Sequence, residues 1–133
     1  MPTPFRIGYG YDVHQLAPGE EFWLGGIEIE HSHGALGHSD ADVLLHVICD
    51  ALLGALALRD IGFHFPDTDP QYKGVDSKKL LQHTYDLVTE AGWELCNLDS
   101  TICLQEPKIS PHVDAMRGCI SGLLGVDMNQ VSV

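Results

Sequence analysis

The chain reads as an α+β domain, a mixed β-sheet with helices packed on one face, and three observations lead there. Apolar residues alternate with small or polar ones near the N-terminus. Dense apolar runs at helical spacing occupy the middle and the second half. The resulting order is strand, hairpin, helix, helix, strand, helix, strand, which fits a sheet covered on one side.

Residues 6–14 place Ile7, Tyr9, Tyr11 and Val13 at alternate positions, the period of a strand. Two short apolar stretches, 21–24 and 27–30, flank Gly25-Gly26, a two-residue hairpin signal. Residues 31–37 are rich in glycine and histidine and read as a loop. Between residues 40 and 58, Val43, Leu44, Leu45, Val47, Ile48, Ala51, Leu52 and Leu53 are too dense for alternation, so a largely buried helix is expected. Ser39 and Asp42 have capping-box spacing at its start.

Residues 59–74 contain Gly62, Pro66, Pro70 and Gly74 and form the least regular stretch, of a length usually functional in a compact domain. A second helix starts at Asp76 or Ser77, buries Leu80, Leu81, Tyr85, Leu87, Val88 and Ala91, and ends before Gly92. Residues 93–105 read as a long strand with Leu98, Ile102 and Leu104 on one side. Ser110-Pro111 opens a third helix, with serine as cap and an apolar stripe of Val113, Met116, Ile120, Leu123 and Leu124 before Gly125. A last strand begins at Val131.

A chain of 133 residues, 44% hydrophobic, is one domain's worth, residues 1–133. No apolar run suits a membrane span, and no secretory signal is evident, so a cytoplasmic protein without a membrane partner is expected. The four cysteines form no close pair and read as reduced thiols. A net charge of -12 argues against nucleic acid, whose phosphates need a basic face.

Two constellations suggest a metal site. In Asp12-Val13-His14 the two polar side chains share one face of the predicted strand, and His46 interrupts the apolar run of the first helix. One carboxylate and two imidazoles suit a catalytic zinc centre, whose fourth position stays open. Each half is short enough to arise by chance, and a buried helical histidine is more often a hydrogen-bonded core residue than a ligand. Asp42 and Asp50 share a stripe with His46 and read as structural, in capping and polar-face roles. His31, His33, His64, His83 and His112 read as surface or loop residues without chemistry.

With these motifs come Asp60-Ile61-Gly62, Phe65-Pro66-Asp67-Thr68-Asp69-Pro70, Tyr72-Lys73-Gly74, Asp76-Ser77 and Gln105-Glu106-Pro107-Lys108. In that order the chain resembles the 2-C-methyl-D-erythritol 2,4-cyclodiphosphate synthase family from about Arg6 onward. The resemblance implies a lyase of non-mevalonate isoprenoid biosynthesis that makes the cyclic diphosphate and releases CMP. It also implies a homotrimer with sites between subunits, and zinc on Asp12, His14 and His46. His38 and Ser39 would contact the phosphates, with His38 the catalytic residue that stabilises the transition state. Asp60, Ile61 and Gly62 would meet the ribose. Phe65, Pro66, Asp67, Thr68 and Asp69 would wrap the methylerythritol. Leu104, Gln105, Glu106, Pro107, Lys108, Ile109 and Ser110 would form the cytosine pocket.

A second divalent ion, Mg²⁺ or Mn²⁺, would bridge the α and β phosphates. In the family its protein ligand is a glutamate on a strand, also carrying Lys and Thr, that follows the position of Val133. That strand and the helix-containing segment after it are expected to be absent from this chain. The bound cations would also reconcile an acidic protein with an anionic substrate. Two other readings use the same residues: a zinc-dependent phosphohydrolase with water as nucleophile, and a non-catalytic nucleotide- or isoprenoid-binding remnant. Asp67 and Asp69 also fit plain turn residues, and Lys108 a plain surface lysine.

Overall fold

The computed structural model describes residues 4–37, 40–72 and 76–133. Short strands β1 (Leu16–Pro18), β2 (Trp23–Leu24), β3 (Ile27–Glu28) and β4 (His33–Ala35) precede helix α1 (Val43–Ala55). A one-turn helix α2 (Ile61–His64), helix α3 (Ser77–Glu90), strand β5 (Leu98–Asp99), helix α4 (Val113–Leu124) and strand β6 (Val131–Ser132) follow. The α+β class holds. Among the described residues the expected single mixed sheet is replaced by three two-stranded pairs, β1–β4, β2–β3 and β5–β6.

Helix α1 packs on α3, and α3 on α4. Leu45, Leu81, Met116 and Ile120 are fully buried between the helices and the hairpin. Each such side chain removed from water stabilises the fold by roughly 2 kcal/mol before entropy is counted. Among the described residues, no helix is long and apolar enough to cross a membrane.

The hairpin forms as expected, antiparallel with Leu24 opposite Ile27. Gly25 and Gly26 have φ of 63° and 82°, which matches the twist of the flanking strands. A Cβ at Gly25 would lie 2.6 Å from Met116 Cγ, so the turn also needs glycine to sit against α4. Both turn amides donate to the buried carboxylate of Asp42, at 3.0 and 2.7 Å. The same carboxylate accepts from Leu45 N and is the N-cap of α1. Asp42 is therefore the cap itself, not the reciprocal partner of a cap at position 39. Ser39 lies outside the described residues.

Residues 5–15 differ from the expected strand. They run alongside α1 without a ladder, and the parity is inverted relative to a core-facing strand. Gly8 and Gly10 lie against the helix, so close that a Cβ on either would overlap the carbonyl oxygen of Ala51 or Val47. Ile7, Tyr9, Tyr11 and Val13 point outward, 81, 81, 73 and 70% exposed. The alternation is present, but its small residues meet the protein and its large ones do not.

Residues 31–37 were expected as loop, yet His33–Ala35 pairs with Leu16–Pro18. Strands of three residues that include Pro18 and Gly34 are too short and too irregular to show a period. The expected strand over 93–105 keeps its parity, with Leu98, Ile102 and Leu104 half-buried between exposed neighbours. Its ladder is confined to Leu98–Asp99, parallel to Val131–Ser132. Helix α3 begins after Asp76, whose carboxylate accepts from Lys78 N, and Gly92 follows its end with a positive φ. Before α4 a 3-10 turn, Ser110–His112, takes the place of a serine cap; the preceding Ile109 makes no capping bond.

Candidate metal centre and cleft

Two segments, a glycine-bearing strap and α1, bring the predicted ligands together. The glycine-bearing strap delivers Asp12 and His14 to the first turns of α1, where His46 lies one turn in. One ligand atom from each of Asp12, His14 and His46 falls within 4.8 Å of the others. Two bonds of about 2 Å to one zinc ion span at most about 4 Å, so a small closure of the side chains suffices to share a cation.

Hydrogen-bond accounting shows which ring atoms are offered. His14 Nδ1 lies 2.8 Å from Ala41 O. A carbonyl only accepts, so Nδ1 carries a proton. Nε2, the other ring nitrogen, lies 3.0 Å from Asp12 Oδ2, a separation that needs either a proton or a metal ion between them. Burial, followed by the neighbouring His14, lowers the pKa of His46 and favours the neutral ring that a metal requires. The donor set, one carboxylate and two neutral imidazoles, fits zinc.

The cluster opens into a cleft of about 440 Å³. His14 and His46 line it together with Gly62, Phe65, Asp67 and Tyr72. The loop that carries the second set of predicted residues thus borders the same space. Asp60 caps α2 through Phe63 N at 2.9 Å, and Ile61 N donates to Asp50 at 3.0 Å. Asp50 therefore ties the metal-bearing helix to this loop, and burial raises its pKa. Asp69 accepts from Gln71 N and Nε2 and behaves as a turn residue. Pro66 is half-buried and Thr68 exposed, and neither lines the cleft.

The predicted cytosine segment, Leu104 to Ser110, does not line this cleft among the described residues. It leads into α4 with Gln105, Glu106 and Lys108 exposed. His38 and Ser39 lie outside the described residues. Sequence reasoning overlooked Ala41, Asp40 and Ser77, whose atoms hold the two histidine rings. Their only sequence signal is proximity: Asp40 and Ala41 precede the cap of α1, and Ser77 opens α3.

The YgbB family model matches residues 5–133. This chain belongs to the YgbB family. A curated relative, the 2-C-methyl-D-erythritol 2,4-cyclodiphosphate synthase of Porphyromonas gingivalis strain ATCC 33277, is 54% identical over 133 residues, which is 100% of this chain and 82% of that protein. The synthase of the same name from Pseudomonas aeruginosa PAO1 is 56% identical over 128 residues, 96% of this chain and 82% of that protein. A solved 2C-methyl-D-erythritol-2,4-cyclodiphosphate synthase in its CDP-bound form superposes with a TM-score of 0.91 at 39% identity, covering 96% of this chain and 85% of the other. The CDP complex of IspF from Plasmodium falciparum gives 0.85 at 33% identity, covering 100% of this chain and 81% of its own. YgbB-family membership and the α+β architecture of solved synthases are therefore secure for this chain.

Proposed function

We propose that this protein is a 2-C-methyl-D-erythritol 2,4-cyclodiphosphate synthase. It converts 4-diphosphocytidyl-2-C-methyl-D-erythritol 2-phosphate to the cyclic diphosphate and releases CMP in non-mevalonate isoprenoid biosynthesis. The observation that carries this reading is the cluster of Asp12, His14 and His46, whose two histidines share one cleft with Gly62, Phe65 and Asp67, in a chain more than half identical to proteins of that name.

The 2-phosphate oxygen forms a bond to the β-phosphorus of the same molecule, and the bond from that phosphorus to the α-phosphate oxygen breaks. CMP departs with the electron pair. The nucleophile is already ionised at neutral pH, so a strong base is dispensable. The obstacle is bringing two anionic phosphates together. Holding the reacting atoms in place contributes up to roughly 7–11 kcal/mol in favourable cases. When bound, zinc supplies Lewis acidity and positive charge to a β-phosphate oxygen.

The protein's own groups do the positioning. Asp12, His14 and His46 hold the cation, with Ala41 O fixing the tautomer of His14. His38 and Ser39, just before α1, contact the phosphates, and His38 stabilises the charge of the transition state. Asp60, Ile61 and Gly62 meet the ribose. Residues Phe65 to Asp69 enclose the methylerythritol, with Asp67 lining the cleft. A second divalent ion, magnesium or manganese, would supply further positive charge to the diphosphate.

The cytosine pocket of Leu104 to Ser110 comes from a neighbouring copy in a homotrimer. Two observations support this. That segment does not line the cleft of its own chain, and the outward row of Phe5, Ile7, Tyr9, Tyr11 and Val13 is an apolar surface suited to burial against another subunit. The cytoplasm is its place of work. Phosphorus NMR of the products tests the reaction. A cyclic diphosphate and CMP are expected; linear products of hydrolysis alone would convert the reading to a zinc phosphohydrolase.

A further inference from the structure

Beside the metal cluster lies a second set of contacts that the reaction scheme leaves unused. His46 Nε2 lies 2.8 Å from Ser77 Oγ, the first residue of α3. Ser77 Oγ in turn makes a short hydrogen bond to Asp40 Oδ1. Ser77 N also donates to Asp40 Oδ2 at 3.1 Å, and Asp42 N to Asp40 Oδ1 at 3.1 Å. Ser77 is wholly buried and Asp40 half-buried, so the chain is largely sheltered from water.

The direction of these bonds follows from proton counting. A hydroxyl has one proton, and the Asp40 carboxylate, which also accepts two backbone amides, takes it. Ser77 Oγ must then accept from His46, so Nε2 carries the ring proton. His46 is left with its lone pair on Nδ1. Without the relay, either tautomer of a buried neutral imidazole is available, and one of them offers the cation the wrong nitrogen.

We propose that Asp40 and Ser77 are positioning residues for the metal centre, a carboxylate–hydroxyl–imidazole relay that locks His46 in its Nε2–H form. Through this relay the start of α3 takes part in cation binding although it supplies no ligand. Ala41 O holds His14 through its other nitrogen, Nδ1, so His14 Nε2 and His46 Nδ1 are the nitrogens left for a cation. Outer contacts of this kind typically change metal affinity by about 10–100-fold when removed. The inference rests on the metal reading given above and goes further by naming what orients its histidine.

Nitrogen-15 NMR of the imidazoles in the zinc-free wild-type protein is the first test. His46 should be protonated on Nε2, and an Nδ1–H tautomer would overturn the relay whatever the variants do. Zinc affinity is then measured by competition with a chromogenic chelator. Ser77→Ala and Asp40→Asn should each bind zinc about 10–100-fold more weakly, with the His46 tautomer mixed, while Ser77→Thr recovers both. Wild-type affinity in Ser77→Ala or Asp40→Asn would overturn the proposal. So would weakened binding accompanied by an equal fall in apo melting temperature and an unchanged tautomer. A wild-type protein that binds no zinc defeats the metal reading instead, and the tautomer measurement still decides the relay. Should one variant fail to fold, the other and the wild-type spectrum carry the test.

Discussion

At the scale of single residues, two aspartates on one helix stripe do different work from the histidine between them. Asp50 bonds the amide of Ile61, and Asp42 caps α1 while holding the hairpin turn. His46→Ala should therefore lose both bound zinc and turnover, whereas Asp50→Ala keeps zinc at the wild-type stoichiometry; metal analysis of purified protein distinguishes them. Asp42→Ala strands the amides of Gly25, Gly26 and Leu45 in a buried site. Leaving such donors unpaired costs about 1–3 kcal/mol apiece when water cannot reach them, so a loss of several kcal/mol is expected in urea titration. The cluster of Asp12, His14 and His46 was legible because Asp-x-His and a lone helical histidine belong to recognisable motifs. Asp40 and Ser77 were not, because no spacing rule joins residues that meet only when α3 docks on α1.

At the scale of elements, the strap over residues 5–15 holds the clearest lesson about reading periodicity. Its alternation is unmistakable, yet glycine rather than tyrosine faces the protein. A period-two pattern fixes which residues share a side, while which side is inward depends on what waits there; here it is the backbone of α1. Gly10→Ala should push the strap away from Val47 and carry Asp12 and His14 with it. Zinc affinity should fall at least tenfold by chelator competition, while helical circular dichroism stays near wild type. The helices were readable because their apolar stripes are long and their caps, Asp76 and Gly92 among them, are local. Strands β1 and β4 were hidden, since three residues make no pattern.

At the scale of the whole molecule, the solvent-facing row on the strap and the distance of Leu104 to Ser110 from the cleft point the same way. Light scattering should report a trimer. Paired Ile7→Glu and Tyr9→Glu substitutions should yield a folded monomer without turnover, because a charge on the covered face opposes association. A trimer that survives both changes would remove the case for that face. The strap is laid against α1 by steric fit, without a ladder to fasten it, and two of the three clustered side chains, Asp12 and His14, ride on it. In the proposed trimer, mass action would link assembly to metal capture, since whatever clamps the strap also rigidifies Asp12 and His14. Diluting the protein below its subunit dissociation constant should make it release zinc, and adding zinc should drive the subunits back together.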